Sequence, residues 1–190
     1  DIMRQPLEDG KVTISRANGA VTYPAEFMLV CAMNPCKCGW YGDPSDRCIC
    51  SQAAVETYQS RISGPLLDRI DLIVDVPALQ YEDLRRKETA ETSADIRQRV
   101  NAARQRQHRR FQELNIHCNA RMSSAQTQKF CTLSEACSQL MKAAFQSMNL
   151  TARSYDRILR VARTIADLDD CTEIQPNHVA EAIQYRATAL

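Results

Sequence analysis

The stretch Cys31-Ala-Met-Asn-Pro-Cys-Lys-Cys-Gly39 is answered further along by Ser63-Gly-Pro-Leu-Leu-Asp-Arg-Ile-Asp71, and the two together decide the fold. The first closes an apolar run, Phe27 to Met33, that reads as a fully buried strand of the parallel-sheet kind and delivers one amide, Asn34, at its end. The second is a tight Gly-Pro turn, an apolar step and a lone arginine, Arg69. It leads into another buried strand, Leu72 to Val76, closed by Pro77. Strand ends that present single polar groups are where open α/β sheets hold their ligands. Residues 1–78 are therefore expected to form an α/β piece.

Working outward, Val12 to Ser15 and Ala20 to Tyr23 flank Ala17-Asn-Gly19, and Asn-Gly between β-capable runs predicts a hairpin with φ > 0 at both turn positions. Pro35 to Cys50 reads as a loop, and Gln52 to Arg61 as a short helix. After about Leu79 the strand signals stop; 79–91 reads as a linker and 92–190 as all-helical. Between 92 and 114, Ile96, Val100, Ala103, Phe111 and Leu114 recur at helical spacing, with Gln107 completing the inward stripe. Ser123-Ser-Ala-Gln126 and Thr132-Leu-Ser-Glu135 look like helix starts. A stronger helix follows Thr151, its core stripe running through Tyr155, Ile158, Leu159, Ala162, Ile165 and Leu168. Pro176 fits the first position of a last helix ending near Ala187.

Composition narrows the class. The 190 residues are 44% hydrophobic and 25% charged, ordinary for a globular protein that buries a core. A net charge of +1 argues against a globally basic nucleic-acid binder while leaving room for a local basic face. No apolar run approaches the roughly 18–20 residues that span a bilayer. The first residues lack the pattern of a signal peptide and begin as if in mid-helix, as in a piece of something longer. Nine cysteines cannot all pair, which points to a reducing compartment, the cytoplasm, with buried thiols and a metal site rather than a disulfide framework.

Arg4-Gln-Pro-Leu-Glu-Asp-Gly, Ala32-Met-Asn-Pro-Cys36, Ile62-Ser-Gly-Pro-Leu-Leu-Asp-Arg-Ile-Asp71 and Ala162-Arg-Thr-Ile-Ala-Asp-Leu168 closely resemble the ComM/YifB family of bacterial, magnesium-chelatase-like AAA+ ATPases. The resemblance covers essentially the whole chain. It implies the second half of a AAA+ αβα core followed by a helical lid, in a homo-oligomer, a hexameric ring when intact, that uses ATP and Mg²⁺ to remodel single-stranded or branched DNA. Asn34 would then be the sensor-1 residue, a neutral amide orienting the water that attacks the γ-phosphate. On the bare sequence, Asn34-Pro35 would merely start a turn. Arg69 would be the arginine finger, neutralising charge on a neighbouring subunit's ATP; otherwise it is a surface salt bridge with Asp68 or Asp71, which would instead orient the finger. Arg153 takes the sensor-2 place, touching phosphates from the lid, against a plain solvated basic face shared with Arg157 and Arg160. Arg16, near the hairpin tip, would contact a DNA phosphate in the ring's pore, with Lys11 a weaker companion. The ordinary alternative is one exposed arginine on a surface hairpin.

Cys36-x-Cys38 and Cys48-x-Cys50 place four soft ligands in one loop, the donor set of structural zinc. The one-residue gaps are tighter than usual knuckles, and unligated thiols or a redox-sensitive cluster are the alternatives. From Asp95 to Leu114 six arginines give a local excess of four positive charges, read as a solvated face before a DNA-binding one. His108, His117 and His178 show no metal spacing and read as surface or capping residues. No G-x-x-x-x-G-K-[ST] occurs in these residues, so this chain alone is not expected to hydrolyse ATP, whereas the intact protein is. Two rivals stand beside the DNA motor: a chelatase motor driving metal insertion into a porphyrin, and a non-enzymatic, metal-stapled nucleic-acid-binding module.

Overall fold

The computed structural model describes residues 3–77, 81, 85 and 91–187. They form two compact units, one running to Ile70 and the other from Asp71, so the Leu72–Val76 segment groups with the helical unit. The first unit opens with helix α1 (Arg4–Asp9), ended by Gly10 in the left-handed conformation at φ 61°, where its N–H reaches the Pro6 carbonyl. An antiparallel hairpin follows, β1 (Lys11–Arg16) on β2 (Gly19–Pro24), in a register that pairs Val12 with Tyr23, Ile14 with Val21 and Arg16 with Gly19. The hairpin is as expected, but its turn differs. Ala17 and Asn18 are the two turn residues, and neither has positive φ; Gly19 alone does, at 140°, as it opens β2. A glycine placed just after a turn lets the strands keep their twist without a left-handed residue inside it.

The two expected buried strands are not strands. Residues 25–34 and 72–77 carry no ladder, and their apolar side chains face outward, with Met28 86%, Val30 79% and Val76 87% exposed. A parallel strand is held by neighbours on both edges and by layers on both faces. The described residues supply neither, and a full αβα core is not formed. In the segment from Asp71, the Ile73 N–H donates to the Tyr185 carbonyl at 3.0 Å. Helices α2 (Gln52–Gln59) and α3 (Gly64–Leu67) complete the first unit.

The second unit is helical, as its periodicity predicts. Its elements are α4 (Ser93–Arg110), a 3₁₀ turn (Asn119–Arg121), α5 (Ser124–Phe130), α6 (Glu135–Ser147), α7 (Ala152–Leu168) and α8 (Pro176–Ala187). Start signals do what their chemistry requires. Thr92 with Asp95, and Ser123 with Gln126, form reciprocal capping boxes. α6 starts later than its Thr132 signal suggests, from Ser134, whose hydroxyl accepts the Cys137 N–H. The core gathers the α7 stripe around Ile158, Leu159, Ala162 and Ala166, against Met141 of α6 and Val179 of α8.

Through this apolar core runs a polar network centred on Asp167, whose side chain is 1% exposed. Arg110 grips both its oxygens, at 2.8 and 2.5 Å, and Arg163 Nε lies 3.3 Å from Oδ1. Asn119 donates to Asp167 at 2.8 Å and to Thr164 at 3.0 Å, and its own N–H reaches Gln107 Oε1 at 3.1 Å. Arg163 directs its other nitrogens to the carbonyls of Thr172 and Cys171, at 2.8 and 2.6 Å. Buried charges persist only when paired and hydrogen-bonded in this way. The network corrects the reading of the α4 arginines as one solvated face. Arg110 points inward, and Arg106 donates to the Asp167 carbonyl at 2.8 Å and pairs with Asp170. Arg97, Arg104 and Arg109 stay exposed.

Candidate functional site

The Pro35–Cys50 loop brings its four cysteines together. Cys36 Sγ lies 3.3 Å from Cys38 and 3.9 Å from Cys48, Cys38 lies 3.6 Å from Cys48, and all four sulfurs, Cys50 included, fall within 4.8 Å of one another. Four Zn–S bonds of about 2.3 Å in a tetrahedron put the sulfurs about 3.8 Å apart, so the thiols already stand near the corners a metal would impose. The tight C-x-C spacing is accommodated by turns. Gly39 N–H closes one onto the Cys36 carbonyl at 3.1 Å, with Gly39 at φ 84° and Gly42 at φ 81°.

The electrostatics suit a metal too. Burial pushes the Cys36 thiol up, but hydrogen bonds from Cys38 and from the N–H groups of Tyr41, Trp40 and Gly39 outweigh it and bring it down to about 6. The Trp40 N–H, with help from that of Ile49, lowers Cys38. In Cys48 the Cys50 N–H lowers the thiol, yet burial and the hydrogen bonds and charge shared with Cys38 and Cys36 win and raise it to about 11. The first pair is shifted toward the thiolate and the second away from it. Backbone N–H groups aimed at sulfur are the support a thiolate–metal centre needs around its ligands.

A second group, Asp169, Cys171 and His178, also lies within 4.8 Å. Its hydrogen bonds assign it otherwise. His178 Nδ1 accepts the Gln175 N–H at 3.0 Å, so its proton sits on Nε2, which donates to Asp169 Oδ2 at 3.1 Å. Neither ring nitrogen keeps a lone pair for a metal. His178 does cap α8, but it is buried rather than at the surface, 1% exposed.

The remaining sequence candidates are dispersed over the two units. Asn34 is exposed, immediately ahead of the cysteine loop, with no ladder on its amino-terminal side. Arg16 is exposed at the end of β1, next to the turn. Arg153 is exposed at the second position of α7, whose start is capped by Thr151 accepting the Ser154 N–H at 3.2 Å. Arg69 is unlike the surface residue that the bare sequence suggests. Its side chain is 4% exposed, paired with Glu8 of α1 and donating to the Pro65 carbonyl, while Nε has no hydrogen-bond partner among the described residues. Asp71, expected beside it, belongs to the helical unit and lies 3.4 Å from Arg157 Nε. Sequence reasoning missed Glu8, because nothing local links positions that far apart.

Residues 1–84 match the family model described as magnesium chelatase, subunit ChlI, and residues 90–186 match that of the ChlI C-terminal region. The chain belongs to the magnesium chelatase family. Among its relatives are the competence protein ComM of Haemophilus influenzae, 40% identical over 98% of this chain and 36% of ComM, and YifB of Escherichia coli, 39% identical over 98% and 36%. Mb2921c of Mycobacterium bovis is 37% identical over 99% of this chain and 37% of its own length. The chain therefore spans a little over a third of the relatives it matches. The Ala162–Leu168 motif that carries part of this family resemblance contributes Arg163, Thr164 and Asp167 to the buried network of the helical unit. Among the described residues of this family member, no helix is long and apolar enough to cross a membrane.

Proposed function

We propose that these residues are the arginine-finger and lid portion of a ring-forming AAA+ ATPase that couples ATP hydrolysis to movement of DNA. The observation that carries this reading is the match to the family over nearly the whole chain, with a relative named a competence protein. In the intact ring, Asn34 orients the attacking water, Arg69 stabilises the transition state on a neighbouring subunit, and Arg153 reports the phosphates to the helical unit. The Mg²⁺ and phosphate loop come from residues outside this chain. Four thiolates hold zinc as a staple of the Pro35–Cys50 loop. The hairpin presents Arg16 to the DNA backbone, a sequence-blind contact that every copy in a ring repeats.

A second reading, favoured by the description of both family models, is a motor for metal insertion into a porphyrin. ATP turnover by the full-length protein separates the two. The DNA reading expects stimulation by single-stranded or branched DNA; turnover indifferent to DNA favours the chelatase. Arg16→Ala should weaken DNA binding about equally for unrelated sequences and reduce the salt slope by about 0.7–0.9 for each phosphate it leaves unneutralised. An unchanged slope removes Arg16 from the interface.

A further inference from the structure

Asn34 sits between two very different stretches of backbone. On its amino-terminal side, residues 25–33 have no ladder among the described residues and expose their apolar side chains. On its carboxyl side, the backbone is held by the cysteine loop and by the helix that follows it. Pro35 follows directly, its carbonyl accepting from Gln59 Nε2 of α2 at 3.3 Å. Cys36 comes next, fully buried, its sulfur 3.3 Å from that of Cys38 and 3.9 Å from that of Cys48, and its carbonyl accepting the Gly39 N–H at 3.1 Å. Gly39 then folds back onto Asn34 itself, such that a methyl placed at Gly39 would meet the Asn34 amide nitrogen at 3.9 Å and its carbon at 4.0 Å. The loop closes at Cys50, next to Ser51, which caps α2 by accepting the Ala54 N–H. The same helix that anchors Pro35 is thus entered through the last of the four cysteines.

We infer that metal at the four-cysteine centre fixes the position of the Asn34 amide, so that zinc occupancy sets the catalytic rate of a site the metal does not touch. This rests on the reading of Asn34 as the water-orienting group. Without the metal, the Cys36–Cys38 and Cys48–Cys50 arms are joined through weak thiol contacts and the stacking of Arg47 on Trp40, and the Gly39 turn that backs Asn34 has no strong bond to hold it. With four bonds to one ion, the segment 34–39 becomes rigid at both ends. Asn34 is the group at the reaction; Cys36, Cys38, Cys48 and Cys50 position it.

The test uses the full-length protein and three variants, reading zinc per chain, oligomeric state, kcat and the KM for ATP. Cys48→Ser, remote in sequence from Asn34, should lose zinc and lower kcat by roughly 10-fold or more, with KM for ATP changed less than about twofold. Gly39→Ala strains the left-handed backbone at φ 84° in the turn whose added methyl would just touch the Asn34 amide, and should keep zinc while lowering kcat several-fold; it remains informative if Cys48→Ser does not assemble. Asn34→Ala should abolish most turnover and leave zinc in place. Zinc lost in Cys48→Ser with kcat unchanged overturns the coupling, as does Gly39→Ala at full activity, or a wild-type protein purified without bound metal. Full activity in Asn34→Ala instead overturns the underlying assignment of Asn34, a separate outcome.

Discussion

Asp167→Ala should destabilise the helical unit by about 3–5 kcal/mol, because it leaves the buried Arg163 guanidinium and the partly buried Arg110 guanidinium without their shared carboxylate. Arg110 and Arg163 are 17% and 4% exposed at the side chain and both contact Asp167. Asn119, 1% exposed, would lose one of its hydrogen bonds as well. Against a whole-domain stability of about 5–15 kcal/mol, this loss is close to unfolding. Read by calorimetry, it corresponds to a fall of roughly 12–40 °C in melting temperature for a unit of this size. Arg99 provides the contrast, since it pairs with Glu91 in the open at 2.5 Å, both half-exposed. Screening leaves such a pair with little to contribute, so Arg99→Ala should melt with the parent. A melting temperature for Asp167→Ala within about 4 °C (at most about 1 kcal/mol) of the parent would show that the network is ornamental.

Arg69→Ala should lower ATP turnover of the assembled protein by about 10³–10⁵-fold, the range for losing an arginine finger. Arg69→Lys should be nearly as damaging, since a point charge cannot replace the planar fork. The structure adds a condition. Arg69 is engaged by Glu8 and the Pro65 carbonyl, with Nε unsatisfied among the described residues, and acting in trans requires the guanidinium to leave Glu8. Loss of the Glu8 pair alone could weaken the first unit, so the decisive form of the experiment mixes subunits. Arg69→Ala subunits combined with Asn34→Ala subunits should recover part of the turnover, because some interfaces then receive one intact residue from each side. Mixtures as dead as either variant alone would reduce Arg69 to a structural pair with Glu8.

The sequence revealed these elements unevenly, for physical reasons. Helix starts are local chemistry, and Ser123, Thr151 and Pro176 mark the helices they announce. Gln107 was legible as a stripe position because periodicity ignores polarity, and it proves to be the acceptor for the Asn119 N–H. Phe27–Met33 and Leu72–Val76 were misread because hydrophobicity states only that a segment is to be covered, and strands exist through partners. Arg106 and Arg110 were misread for the opposite reason: a charged helix face is usually solvated, and the carboxylate that draws Arg110 inward lies on another helix. One signal was available. Arg163 and Asp167 stand four apart beside the apolar positions Ala162 and Ala166, which places a charged pair at the border of a core stripe. The cysteine spacing disclosed the four ligands, whereas the contact of Gly39 with Asn34 exists only in the folded loop.

The most direct measurement of the central claim is displacement of a branched DNA junction by the full-length protein. With ATP and Mg²⁺ the wild-type ring should move the branch point, and neither a non-hydrolysable ATP analogue nor Arg69→Ala should support it. A protein that hydrolyses ATP at a rate indifferent to DNA and leaves the junction where it was would contradict the account.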